Sequence, residues 1–330
     1  MTKQVLSALA LMLVAGLSLR GSAQAQPSDS TGHQHLHRHA DVAHMSGGGS
    51  APDIGLMIRP ETLQAGERAT LTFLLRHPDG EPLDSRLLTH HARKVHVVIV
   101  GEDMTTIGHV HPQDFDEPIV EGRATVRFDF PHGGRYLVAA DIMTKDGPHS
   151  ETFIIEVAGA HRPEKPTTPR LSVVEIREGD RYTASISFDD AGFTDGYEIS
   201  TLGNANVRAG VPVHFSWAVE REGRPVIDLR PFLDSALHLA VVKDDLSRFL
   251  HEHGEAAEPS AGSHATSNQA SGVGSHAPDD HAHGHDTVPR SFGPDLQATV
   301  IFPEPGRYVL FAQAAHKDKM LVLRFPVSVE

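Results

Sequence analysis

The chain reads as an all-β protein of two tandem β-sandwiches, and three observations predict this. Apolar and polar residues alternate at period two in several segments, long helical patterns are missing, and one block of sequence occurs twice. A two-residue period sends successive side chains to opposite faces of a strand, so each such segment is expected to bury one face and solvate the other.

The alternating rows come in chain order. Ala69, Leu71, Phe73 and Leu75 form the first, Ala124, Val126, Phe128 and Phe130 the second, and Val213, Phe215, Trp217 and Val219 the third. Between the first two rows and the third, the segment 159–170 carries Pro163, Pro166 and Pro169 and reads as a stiff linker. One domain is therefore expected at 53–158 and another at 171–330, the second opening on a hairpin near Leu171 to Phe188.

The duplication fixes the correspondence between them. Val95 to His111 reads VHVVIVGEDMTTIGHVH and Leu237 to His253 reads LHLAVVKDDLSRFLHEH, each with a histidine thirteen residues before an H-x-H pair. Ala65-Gly66 matches Ala209-Gly210 upstream, and FPHGGRY from Phe130 matches FPEPGRY from Phe302 downstream. Each copy has about the length and turn spacing of a seven-stranded sandwich, and the G-R-Y corner is the kind found in immunoglobulin-like Greek keys.

Composition adds the compartment and the chemistry. Lys3, the apolar run from Val5 to Leu19 and Ala23-Gln24-Ala25 form the pattern of a cleavable export signal over 1–25, which places the protein in the periplasm or outside the cell. That run falls short of the about 20 residues a membrane-spanning helix needs. The net charge of -14 argues against a nucleic-acid partner, and the absence of cysteine excludes a disulfide framework. Histidine is the anomaly, at 24 residues.

Many of these histidines fall in two low-complexity stretches. The segment 26–52, with His33, His35, His37, His39 and His44, reads as a disordered tail, and 254–290, with His264, His276, His281, His283 and His285, reads as a disordered insertion in the second copy. Repeated H-x-H in both suits weak, adaptable capture of metal ions, lost as protons compete below about pH 6.5.

The repeated motif suits a tighter site. If Val95 to Val100 and Ile107 to His111 pair as antiparallel strands, His96 faces His111 and has His109 on its diagonal, so His96, His109 and His111 share one face. His238, His251 and His253 repeat the arrangement. Three imidazoles with an open position suit copper or zinc, whereas calcium and magnesium prefer oxygen. Asp103 and Asp245 occupy equivalent positions and are better read as turn residues than as ligands. His316, where the first copy has Thr144, is either an extra ligand or a surface residue. A duplicated hydrogen-bond network is the alternative account of the triads.

With HVVIVGEDMTTIGHVHP, HLAVVKDDLSRFLHEH and the F-P-x-x-G-R-Y corners, each copy resembles the secreted bacterial immunoglobulin-like domains of the YtkA-like kind. The resemblance implies an extracytoplasmic β-sandwich with a role in heavy-metal handling. The His-rich insertion separately resembles the loops of periplasmic zinc-binding transport proteins, whose α/β alternation this chain lacks. A cupredoxin site needs a cysteine thiolate, and a histidine-brace oxygenase needs a histidine at the mature terminus, where Gln26 is expected; neither fits.

The expectation is a non-enzymatic copper- or zinc-binding protein for metal buffering, delivery or resistance. Its partners would be the metal ions and a transporter or efflux component. A structural or partner-binding sandwich protein is the alternative, followed by a copper-dependent oxidoreductase.

Overall fold

The computed structural model describes residues 51–161, 167–175, 185–187, 194–202, 207–257 and 288–330. The expected export signal, the tail 26–50 and most of the His-rich insertion, 258–287, lie outside the described residues. The described part is all-β, with one short 3-10 turn at Pro112–Phe115, and contains no helix long and apolar enough to cross a membrane.

Its first half comprises β1 (Asp53–Arg59), β2 (Leu63–Gln64), β3 (Arg68–Arg76), β4 (Val95–Gly101), β5 (Thr106–Val110), β6 (Arg123–Asp129), β7 (Gly134–Thr144) and β8 (Gly147–Ala158). Two further strands follow, β9 (Arg170–Glu175) and β10 (Ser185–Ser187). The second half comprises β11 (Tyr197–Leu202), β12 (Pro212–Arg221), β13 (Arg224–Pro225), β14 (Leu237–Lys243), β15 (Phe249–Ala256), β16 (Asp295–Ile301), β17 (Gly306–His316) and β18 (Lys319–Val329).

In the first half a small sheet ordered β1-β3-β6 faces a larger one ordered β10-β5-β4-β7-β8-β2. Leu71, Phe73, Val126 and Phe128 from the small sheet meet Val97, Val138 and Phe153 from the large one in a single core. The second half runs β11-β12-β16-β15-β14-β17-β18-β9, folded at β15, which pairs with β14 over most of its length and with β16 at Glu255 and Ala256. Phe215 and Trp217 meet Val241, Leu310 and Leu321 in the second core.

A third cluster joins the halves. On β4, Val95, Val97 and Ile99 enter the first core, while Val98 and Val100 point the other way and pack with Ala240, Val242 and Phe311 of the second half. β14 mirrors this with Leu237, Leu239 and Val241 inward. The expected half-solvated strand is thus replaced, at β4 and β14, by one buried on both faces, because each half covers the other. All of these elements lie in one compact unit.

Among the described residues the expected hairpin at 171–188 does not form. β9 adds to β18 of the second half, whereas β10 adds to β5 of the first, with Ile186 opposite Ile107. The insertion also starts later than expected, since Gly254 to Ala256 are still part of β15. The two G-R-Y corners are equivalent: Tyr136 donates its hydroxyl to His132 O at 2.9 Å and Tyr308 to Glu304 O at 3.0 Å, each ring lying against the preceding phenylalanine, Phe130 or Phe302. Gly134 and Gly306 adopt φ of +124° and +144°, a backbone state that β-carbon-bearing residues avoid.

Candidate metal centre

β4 and β5 pair with Val97 opposite Val110 and Val98 opposite His109, so the register carries His96 opposite His111. In the second half His238 lies opposite His253 and Ala240 opposite His251. The connecting turns are built alike. Asp103 accepts the Thr105 N–H at 2.9 Å and Asp245 the Ser247 N–H at 2.9 Å, the turn role expected for both aspartates.

Tight turns hold the leading histidines. His90 and Arg93 exchange backbone hydrogen bonds around His91 and Ala92 at φ of 46° and 60°, and Phe232 and Ser235 do the same around Leu233 and Asp234 at 48° and 55°. Each turn aims one carbonyl at a ring: His96 Nε2 donates to His90 O and His238 Nε2 to Phe232 O, both at 2.9 Å. The proton is then fixed on Nε2, and Nδ1 keeps its lone pair.

The middle histidines are held from the opposite half. His109 Nδ1 donates to Gln313 Oε1 at 2.9 Å, and His251 Nδ1 to Asp141 Oδ2 at 2.7 Å. Asp141 sits opposite His96 on β7, and Gln313 opposite His238 on β17, so the two holders are equivalent positions used reciprocally. His111 donates its Nδ1–H and its backbone N–H to Asp114 Oδ2, at 2.9 and 2.8 Å, the 3-10 turn placing that carboxylate three residues on.

With those protons spoken for, the remaining nitrogens converge. His96 Nδ1, His109 Nε2 and His111 Nε2 lie 3.2 to 3.3 Å apart, all in residues 1–3% exposed. A tetrahedron of nitrogens at about 2.0–2.1 Å from a zinc-like ion has edges of about 3.3 Å. Nitrogens of His96, His109 and His251, and of His238, His251 and His253, also form sets within 4.8 Å that could hold a metal ion. His238 Nδ1, His251 Nε2 and His253 Nε2 are buried without a hydrogen-bond partner.

The six rings obey an approximate twofold relation. Ring centroids of His96 and His111 are 4.9 Å apart and those of His238 and His253 4.7 Å; His109 to His111 is 4.7 Å and His251 to His253 4.8 Å. Across the halves His96 to His251 is 5.4 Å and His109 to His238 5.3 Å. Burial, reinforced by neighbouring imidazoles, pushes His96, His109, His238 and His253 below the usual histidine range; for His111 the second cause is the Arg93 guanidinium. Neutral rings are the state in which imidazole ligates metal.

The structure therefore brings all six motif histidines into one place. It also adds His90 and His91, whose rings lie 5.4 and 3.7 Å from that of His253, the latter stacked. Their signal in the sequence is a histidine pair just before His96 where the second copy has Phe232 and Leu233. His316 is placed elsewhere. It is buried rather than on the surface, and both its nitrogens are engaged, Nδ1 with the Tyr197 hydroxyl at 2.6 Å and Nε2 with Asp228 at 2.9 Å. The auxiliary candidates His33, His35, His37, His39, His281, His283 and His285 lie outside the described residues.

No curated protein matches the sequence. Among solved structures, the native conformation of Escherichia coli α2-macroglobulin aligns at 10% identity and a TM-score of 0.22 over 84% of this chain and 16% of that one. Salmonella α2-macroglobulin reacted with methylamine aligns at 10% identity and 0.20 over 83% and 15%. The chain thus spans under a fifth of the length of those proteins. Residues 50–159 and 192–330 match the family described as a domain of unknown function, DUF8832, and the chain belongs to that family.

Proposed function

We propose that this protein binds copper or zinc through His96, His109, His111, His238, His251 and His253, and that it serves in metal buffering, delivery or resistance outside the cytoplasm. One observation carries the reading: three imidazole nitrogens, each left with a lone pair because its ring partner donates to an oxygen, face one another at 3.2 to 3.3 Å. Lone pairs held that close in a buried place repel unless a cation lies between them. A purely structural hydrogen-bond network would need a proton on at least one of those nitrogens, whereas the oxygens of His90, Gln313 and Asp114 favour the tautomers that leave all three bare.

In this reading the halves are tandem immunoglobulin-like sandwiches whose contact is the metal site. The resemblance to YtkA-like secreted domains and the expected export signal support the location, and the His-rich segments supply weaker capture. Its partner would be a metal transporter or efflux component.

The test is to load the full chain with Cu(II) or Zn(II), remove loosely held ion by desalting, and count what remains. Replacing His96, His109 and His111 together with alanine should abolish part of the retained metal, and replacing all six should leave only what the His-rich segments keep. Equal retention by all three proteins would refute the centre.

A further inference from the structure

The two triads lie against each other. The cross-triad ring pairs, 5.4 Å for His96 and His251 and 5.3 Å for His109 and His238, fall within the range of pairs inside a triad, from 4.7 Å for His109 and His111 to 5.9 Å for His238 and His251. His251 belongs to both sets of convergent nitrogens, and its ring centroid lies 5.0 Å from that of His109. Resting on the metal-binding reading, we propose that the six imidazoles form one dinuclear centre, two transition-metal ions lying side by side, one per triad, with a small anion bound between them.

Coordination and charge both call for the anion. Three nitrogens leave each ion an open position, and neutral imidazoles cancel none of the charge that two divalent ions carry. The carboxylates bonded to the rings are Asp114, on His111, and Asp141, on His251. They offset about half of it, and Arg93 lies 3.7 Å from Asp114 and works against them. Leaving the remainder uncompensated among residues as buried as His96, His109 and His238 is costly. Hydroxide fills this role naturally, because water bound to such ions becomes acidic enough to lose a proton near neutral pH. Azide is the convenient probe of the same position.

The experiment uses the full chain with Cu(II) as probe, read by metal content, double-integrated electron paramagnetic resonance and azide titration followed optically. Four proteins are compared: the parent, His251→Ala, His111→Ala and the protein with all six histidines replaced by alanine, which keeps only the copper of the His-rich segments. Emission from Trp217, the only tryptophan and buried in the second core, reports folding of each. Copper on the His-rich segments is common to all four, so subtracting the six-alanine protein leaves the copper of the centre.

The expected result is two centre-bound coppers in the parent with most of their signal lost to mutual coupling, and one azide per pair. His111→Ala, which leaves the second triad whole, should restore an isolated Cu(II) signal, and His251→Ala should abolish the coupling and the azide response. Two coppers with full, additive signals would overturn the dinuclear proposal while leaving metal binding intact, as would a single retained copper. A coupled pair indifferent to azide would overturn the anion site. No centre-bound copper would remove the metal reading itself.

Discussion

His251 donates its Nδ1–H to Asp141 at 2.7 Å, a bond between residues 110 apart that crosses from one half of the molecule to the other. Its counterpart, from His109 to Gln313, spans 204 residues. Each half thus orients the central histidine of the other, which makes the six-histidine cluster a property of the pair and not of either half.

Asp141→Leu should weaken retention of metal at the second triad by about 10- to 100-fold, the range for losing a group that orients a ligating histidine. The lost acceptor leaves a buried N–H unpaired at a cost of about 1–3 kcal/mol, so some fall in thermal stability is expected too. Competition with a coloured chelator measures the first effect. An unchanged affinity would mean that the carboxylate does not position His251.

The contact between halves should carry much of the stability. Phe311 is fully buried in the shared cluster, and Phe311→Ala should cost about 3–5 kcal/mol in unfolding free energy. Saturating metal should recover part of the loss, since an ion that binds the folded state alone stabilises it by mass action. Chemical denaturation with and without metal gives both numbers; a loss below about 1 kcal/mol would place that ring at a contact able to collapse around the gap.

Much of this was legible in the sequence, and the remainder was hidden for identifiable reasons. Period-two rows such as Ala69 to Leu75 became β3, and the thirteen-residue spacing gave the true register of His96 against His111, because a strand's side-chain direction depends on position alone. The near-continuous apolar run VHVVIV is the mark of a strand covered on both sides, whereas alternation with polar residues elsewhere points to one solvated face. Asp141 and Gln313 left no trace, since equivalent positions in the two copies hold different residues and the bonds they make cross between halves. His316 carried metal-like chemistry but went to a structural bond, which only its neighbours Tyr197 and Asp228 reveal.

His316→Ala therefore separates buried histidines from ligands. It should lower stability by about 1–3 kcal/mol, because the Tyr197 hydroxyl loses a buried partner, and should leave the retained metal unchanged. Thermal melting and metal analysis of the same sample check the two halves of this expectation; lost metal would draw His316 into the centre.

Exchange should be faster at the second triad than at the first. His96, His109 and His111 are sealed, whereas His253 is only half-buried and has His91 stacked on it at 3.7 Å; the positions equivalent to His90 and His91 in the second copy hold the apolar Phe232 and Leu233. Copying that apolar rim with His90→Phe and His91→Leu should slow release of the labile ion to a chelator and leave stoichiometry unaltered. Single-phase release in both proteins, at one rate, would show that the rim does not control access.

Acid should remove metal and unfold the protein together. The folded pKa values of His96, His109, His111, His238 and His253 lie below the unfolded value of about 6.5, so between the two the unfolded chain binds more protons than the native one. Stability is then fully present above about pH 6.5 and falls as pH drops through and below it, by up to about 1.4 kcal/mol per pH unit for each such group. The His-rich segments should release their metal near pH 6.5, as ordinary imidazoles do, before the buried centre does. A metal-loaded sample titrated from pH 8 to pH 4 should accordingly lose ion in two steps, only the second accompanied by a change in Trp217 emission; one step at pH 6.5 with unchanged emission would mean that the centre is as open to protons as the tails.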